Sequence, residues 1–312
     1  MKKDKGTRVA LKKSRRKEIW RHRELYLFML PALVALIIFS YAPMYGIVMA
    51  FQDIKLGRSI FENDWVGLKH FIRFFNGQWC STTIKNTLLI GLVAQLGSWP
   101  VSICLALLLH NTDSPRIKKL TQTASYIPHL LSTVLIVSII NLFCSDKTGL
   151  INILLVKMGY EEISFFGKPG WVLPLYVISE IWAHSGYGAI IYLGALSAVD
   201  EELMEAAKID GAGKLKRIWY IQLPLIRSTM VTMLILKMGS LFSMGAEKML
   251  LLQTDLNLSA SEIISTYVYK VGLSGSQYGF ATAVGMFQNV VNLIMVLLVN
   301  WISSKLADTS II

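Results

Sequence analysis

The sequence has 312 residues, of which 54% are hydrophobic and only 16% charged, with a formal net charge of +11 and a mean hydropathy of +0.50. A soluble chain carries roughly a quarter of its residues as Asp, Glu, Lys and Arg, so composition excludes an ordinary cytosolic enzyme and excludes disorder. Cys80, Cys104 and Cys144 are too few and too scattered for a disulfide framework or a zinc site. What remains is an integral membrane protein.

The chain opens with a basic tail, residues 1–24, holding eleven Lys and Arg against Asp4, Glu18 and Glu24. Six long apolar runs follow, each able to cross a bilayer as a helix: Leu25–Ala50, Thr82–Leu109, Leu120–Phe143, Trp171–Val199, Leu225–Leu252 and Tyr278–Ser304. The expected fold is therefore all-α, a six-helix transmembrane domain over residues 25–304 with a C-terminal tail at 305–312. The first run is too long for a cleaved signal peptide and leads into Pro43-Met44-Tyr45-Gly46 rather than a small-residue cleavage site.

Charge sets the expected orientation. Six crossings put both termini on one side, and twenty of the thirty-one basic residues fall there: the tail, Arg116, Lys118 and Lys119, the Lys208–Arg217 segment, Arg227 and Lys305. Nine fall opposite, and Lys237 and Lys248 lie within the fifth run. The positive-inside rule makes the richer side cytoplasmic, with residues 51–81, 144–170 and 253–277 facing outward. The basic tail then reads as a topology determinant touching anionic headgroups. It shows neither the aromatic interleaving nor the reading fold that nucleic-acid binding needs.

One cytoplasmic loop, residues 200–224, is more than a connector. Asp200, Glu201 and Glu202 suit the positive end of a helix dipole, and Met204, Ala206 and Ala207 propagate a helix. Gly211 and Gly213 are expected to stop it. A short basic and aromatic helix then runs to Pro224, which is expected to open the fifth span. Such a helix–turn–helix at the membrane surface could fit a groove on a partner and pass motion to both adjoining spans.

Glu205-Ala206-Ala207, Gly211 and Ile221-x-Leu223-Pro224 stand at the spacing of the EAA loop, and the chain resembles the permeases of binding-protein-dependent ABC importers. Asp210-Gly211-Ala212 resembles the carbohydrate branch, while Ser228 replaces a proline that many relatives have. Tyr26-Leu27-Phe28-Met29-Leu30-Pro31-Ala32, Tyr41-Ala42-Pro43-Met44-Tyr45-Gly46, Ala50-Phe51-Gln52-Asp53 and Trp65-Val66-Gly67-Leu68-Lys69-His70-Phe71 resemble the LplB/YteP-type permeases for complex oligosaccharides. The resemblance implies the type I permease fold in a bacterial cell membrane, with a coupling helix at 200–224 whose Glu205 meets an ATPase. It further implies a second homologous permease, two copies of a cytoplasmic ATPase that uses ATP and Mg, and an extracellular solute-binding lipoprotein. No cofactor is expected on this chain. A type I permease for another solute, such as glycerol phosphate, has the same spans and stays open as the alternative.

Enzyme signatures are missing. Gly211-Ala212-Gly213-Lys214-Leu215 lacks both the earlier glycine and the hydroxyl residue of a phosphate-binding loop, so ATP hydrolysis is expected in another subunit. The five histidines make no helix-spaced pair, and there is no G-x-S-x-G elbow. A lipid-modifying enzyme would need a nucleophile or metal set that the sequence does not show, and the coupling loop argues against a passive channel.

A sugar route needs polar and aromatic side chains on inward faces. On the fourth run Glu180, His184 and Tyr187 recur on one helix face, with Trp182 nearby. On the fifth, Ser240, Ser243 and Glu247 would share a face, and Lys237 and Lys248 another; the two lysines raise the expectation of an acidic sugar such as a uronide. On the sixth, Gln288, Asn289 and Asn292 form a polar stripe beside Gly285. Each has a plainer reading: amides within spans often bond a neighbouring helix, Glu247 could sit at the outer surface, and Tyr41, Tyr45, Trp171 and Trp301 read as interfacial anchors.

Overall fold

The computed structural model describes residues 21–55, 57–242 and 244–307. The basic tail from Lys2 to Lys17 and the end of the C-terminal tail lie outside these residues, as does Ser243. Three helices are unbroken and apolar enough to cross a membrane: α1 (Arg23–Phe51), α3 (Trp79–His110) and α13 (Tyr278–Ala307). Between the first two, β1 (Gln52–Asp53) and β2 (Asp64–Trp65) form an antiparallel clasp, followed by the short helix α2 (Lys69–Phe75).

The third predicted span is a broken one. α4 (Pro115–Tyr126) runs through a tight turn at Ile127–Leu130, and α5 (Thr133–Cys144) sets off at 104° to it. Pro128 removes a backbone donor there, and the Ser132 hydroxyl caps the new helix by accepting from Leu135 N–H at 3.3 Å. After α6 (Leu150–Lys157) comes α7 (Val172–Ser197), whose 26 residues are about 39 Å of helix. It is long enough to span, but Glu180, His184 and the residues around them dilute its apolar character, and it falls outside the apolar set.

The 200–224 loop supplies α8 (Glu201–Ile209) and α9 (Lys214–Leu225). The prediction of one helix over Leu225–Leu252 is corrected. α9 bends by 63° into α10 (Arg227–Gly239), so Pro224 ends the coupling helix rather than opening the span. Helix is lost again after Gly239, and α11 (Ala246–Leu252) starts afresh after Gly245. The bend at the first of these sites follows from the N–H that Pro224 lacks. At the second, two glycines lower helix propensity and Asn292 and Gln288 take over the backbone groups of Phe242. α12 (Ile264–Tyr269) completes the set.

α3 and α7 make the most extensive helix pairing in the chain. Small residues allow it: a Cβ at Gly97 would stand 3.1 Å from Ile181, and one at Gly188 would meet the Ser102 hydroxyl at 2.8 Å. Gly186, on the same helix, lets α4 approach so closely that a Cβ there would run into the Ser125 carbonyl. Three buried clusters form the core, the first and third with residues of both α3 and α7, the second joining α3 to α2, α10, α12 and α13. One is centred on Tyr176, Met249 and Ile263, a second on Phe74, Phe242 and Phe280, and a third on Tyr192, Leu196 and Ile226. None of the residues in the most apolar stretch of α1 is buried, while its C-terminal turns, with Ala50 fully buried, pack on α13. Leu27, Phe28 and Phe39 lie open on the apolar stretch, as suits a helix facing lipid or another subunit.

Candidate functional site: a capped coupling turn and a polar junction

The coupling turn is built by local chemistry. The Asp200 carboxylate caps α8 by accepting from Glu202 N–H at 3.0 Å, with Glu201 and Glu202 in the first turn. At the other end Ala212 N–H donates to Ala207 C=O at 2.8 Å and Gly211 N–H to Lys208 C=O at 3.1 Å, a Schellman closure. Gly211 has φ of +77°, where any Cβ would be strained.

Glu205, Ala206, Asp210 and Gly211 are exposed, Ala207, Ala212 and Leu223 half-buried, and Pro224 exposed. Ile209 and Tyr220 add apolar surface to the same module at 87% and 81% exposure. The module is fastened to the body behind it. Gln222, fully buried, exchanges amide hydrogen bonds of 2.8 and 3.1 Å with Asn111 at the end of α3. Lys214 reaches Asp113 at 2.7 Å, and this ammonium holds the Asp113 carboxyl below the usual range. These contacts join the turn to α3, while the chain itself joins it to α7 and α10.

The polar junction is built by long-range packing. Glu180, His184 and Tyr187 do share one face of α7. Glu180 accepts from Lys248 at 2.8 Å and stands 3.4 Å from His184, while Lys248 also lies 4.3 Å from the centre of the Tyr176 ring. His184 Nδ1 is 2.9 Å from His129 Nδ1, and His129 stacks on Tyr187 with ring centres 4.0 Å apart. The His129 ring comes from the tight turn between α4 and α5, Lys248 from the helix beyond the fifth-span break. One side-chain chain thus ties both helix breaks to α7.

His129 was not reachable from helix spacing, because its partner lies fifty-five residues away; the signal that could have marked it is a His one residue after a proline within a span. The expectation that Lys237 and Lys248 share a face is corrected: the break at 240–245 puts them on different helices. Lys237 donates to Ser98 at 2.9 Å.

The remaining candidates separate. Ser240 is exposed and bonds back to Lys237 C=O at 3.0 Å, and Glu247 is exposed in the first turn of α11. The same break means that they share no helix face. Trp182 points away from Glu180 and is 45% exposed. On α13, Asn292 accepts from Phe242 N–H at 2.9 Å and Gln288 donates to Phe242 C=O. These two amides are occupied with the neighbouring broken span. Asn289 instead lines an apolar cavity of about 790 Å³ with Met44, Tyr269 and Met286.

Residues 100–308, which contain the turn and the junction, match the family of binding-protein-dependent transport system inner membrane components. The chain belongs to this family. The permease is 42% identical to the polygalacturonan/rhamnogalacturonan transport system permease protein YteP of Bacillus subtilis (strain 168), over 97% of its own length and 96% of the relative's. It is 39% identical to protein LplB of the same organism, over 91% and 90% of the two chains. Among solved structures it superposes with a TM-score of 0.86 and 34% identity on a chain of a bacterial alginate ABC transporter, crystallised in complex with an alginate pentasaccharide-bound periplasmic protein. That match covers 95% of the permease and 99% of the other chain. The type I permease fold is therefore shown, and these relatives are transport permeases rather than enzymes.

Proposed function

We propose that the permease is one of two homologous transmembrane subunits of an ATP-driven importer for acidic oligosaccharides. A solute-binding lipoprotein hands the sugar to the outward loops, and two ATPase subunits, with ATP and Mg, grip the 200–224 turns from the cytoplasm. The observation that carries the reading is the exposed, glycine-capped turn at Glu205–Ala212, fastened through Gln222–Asn111 to the helix that packs on the polar junction. Closure of the ATPase pair moves the turn, and the helices ending there rock between outward- and inward-facing packings. ATP and cargo need only bias two packings a few kcal/mol apart in opposite senses.

The junction is the part of the path suited to sugar. Glu180, His184 and Tyr187 offer carboxylate, imidazole and phenol groups on a half-exposed strip of α7. Cargo of relatives such as polygalacturonan and alginate is polyanionic, and a cation on the path suits it. Lys248 is already matched by Glu180, so Lys237 is the lysine with charge to offer. In proteoliposomes holding the two permeases, ATPases and binding protein, ATP-dependent uptake of a uronide oligosaccharide should exceed that of a neutral one. Lys237→Ala should reduce uronide uptake roughly tenfold, the cost of one charge-assisted contact, and leave any neutral uptake unchanged. Equal losses for both sugars would overturn the acidic cargo, and uptake without ATP would overturn the importer itself.

A further inference from the structure

A cavity of about 480 Å³ lies behind the coupling turn, bounded by the end of α3, the start of α4, the end of α7 and both arms of the turn. Its wall carries Lys118, Lys208, Lys214 and Arg217. Lys214 is neutralised by Asp113. Among the described residues the other three cations form no ion pair.

Arg217 is the unusual member. Only 8% of it is exposed, and its Nε is buried without a hydrogen-bond partner. An Nε–H withdrawn from water without an acceptor is costly, and the terminal nitrogens of the same guanidinium belong to the cavity wall. The planar donor fork of a guanidinium matches a phosphate or carboxylate better than any point charge does. Besides Asp113, which holds Lys214, two acids share the wall, Glu201 and Glu205, both exposed and neither bonded to Arg217. Glu205 is the side chain assigned above to the ATPase; once it is engaged there, the cavity is left with three unmatched cations and one acid besides Asp113.

We propose that this cavity is a binding site for a phosphate-bearing anion, held by Arg217 and flanked by Lys118 and Lys208. Two sources have this chemistry, the headgroup of an acidic phospholipid and a soluble phosphate ester. Leu108, Ile117 and Leu120, neighbours in sequence of His110 and Lys118, are exposed apolar side chains of the kind an acyl chain needs. Because the site backs onto the turn, its occupant would stiffen the very segment that the ATPase moves, making transport responsive to the anion.

The test uses the complete transporter in nanodiscs. One arm compares discs of phosphatidylcholine with discs containing phosphatidylglycerol and reads retained lipid by native mass spectrometry. The other titrates glycerol phosphate into phosphatidylcholine discs and reads heat of binding. At least one anion should bind the wild type. Arg217→Gln should weaken that binding tenfold or more, and a Lys118→Gln/Lys208→Gln double variant several-fold. The double variant, on exposed residues, decides the matter should Arg217→Gln not assemble. Retained phosphatidylglycerol identifies a lipid site, and heat with glycerol phosphate identifies a soluble ligand. Binding unchanged in the variants would overturn the proposal, as would binding seen only when the ATPase subunits are left out, which would mean that a partner side chain fills the cavity.

Discussion

The turn at Gly211 and the junction at Glu180 are held together by opposite means. In the turn, one capping carboxylate, two backbone hydrogen bonds and a left-handed glycine set the geometry among neighbours in sequence, leaving Glu205, Ile209 and Tyr220 free on the surface. The junction has almost no local determinants. Glu180 and His184 share α7, but His129 and Lys248 arrive from distant segments beside helix breaks, and the four are linked by polar contacts with one another. A module that fixes itself and exposes its side chains is suited to being gripped. A half-buried network whose members satisfy one another is suited to rearrangement when a solute competes for the same groups, and it suffers most from losing one member.

The sharpest way to break this contrast is at Glu180. Its ion-pair partner Lys248 is 9% exposed at the side chain, so Glu180→Ala strands a buried ammonium, a change that costs about 3–5 kcal/mol when a buried pair loses one partner. Thermal unfolding of the detergent-solubilised transporter should shift down strongly, and uptake should vanish. Adding Lys248→Met removes the stranded charge and should recover most of the stability without recovering uptake. A single variant no less stable than the double would show that the pair is not desolvated, and the proposed difference between the two regions would fail.

How much of each region could be read beforehand follows the same division. Asp200 and Gly211 were legible because helix caps and left-handed glycines act over a few residues, and the structure differs there in that Pro224 ends a helix instead of opening the span. The α7 face of Glu180, His184 and Tyr187 was legible for the same reason, since periodicity survives in an unbroken helix. What periodicity could not show is where a helix breaks at membrane depth. The chain between Leu225 and Leu252 is apolar enough to continue as helix, and it stops because Asn292 and Gln288 of a distant segment satisfy the backbone of Phe242. Reading one continuous helix there misplaced Ser240, Glu247 and the two lysines together. His129 stayed hidden because it acts through a contact made only after α4, α5 and α7 pack.

Gly211 tests the turn from within. At φ of +77° a Cβ costs about 1–2 kcal/mol, and a β-branched side chain more, yet nothing lies within 4 Å of the position where that Cβ would stand. Gly211→Val should therefore distort the turn without a clash in the core. The protein should insert at normal levels, with thermal stability reduced far less than by Glu180→Ala, while sugar-dependent ATP hydrolysis falls to the level measured without binding protein. Normal coupling in this variant would mean that the partner reads sequence in the turn and not its shape.

Lys214 lies inside the same loop but should matter least. Its pair with Asp113 is exposed on both sides, where screening and side-chain entropy leave little net gain. The Asp113 carboxyl is held below its ordinary value by Lys214 first, and by Lys208 and Arg217 less strongly. Whatever the pair contributes is thus present above the ordinary carboxylate pKa of about 3.9 and is lost only as pH falls through the lowered value. Between pH 6 and 8 the small stability difference between wild type and Lys214→Ala should stay constant, and it should disappear only in strongly acidic solution. Uptake at neutral pH should change less than with either preceding variant, because Gln222 and Asn111 still fasten the turn to α3. A large neutral-pH loss would place the fastening at the exposed ion pair instead of the buried amide pair, and motion would then leave the turn by its surface.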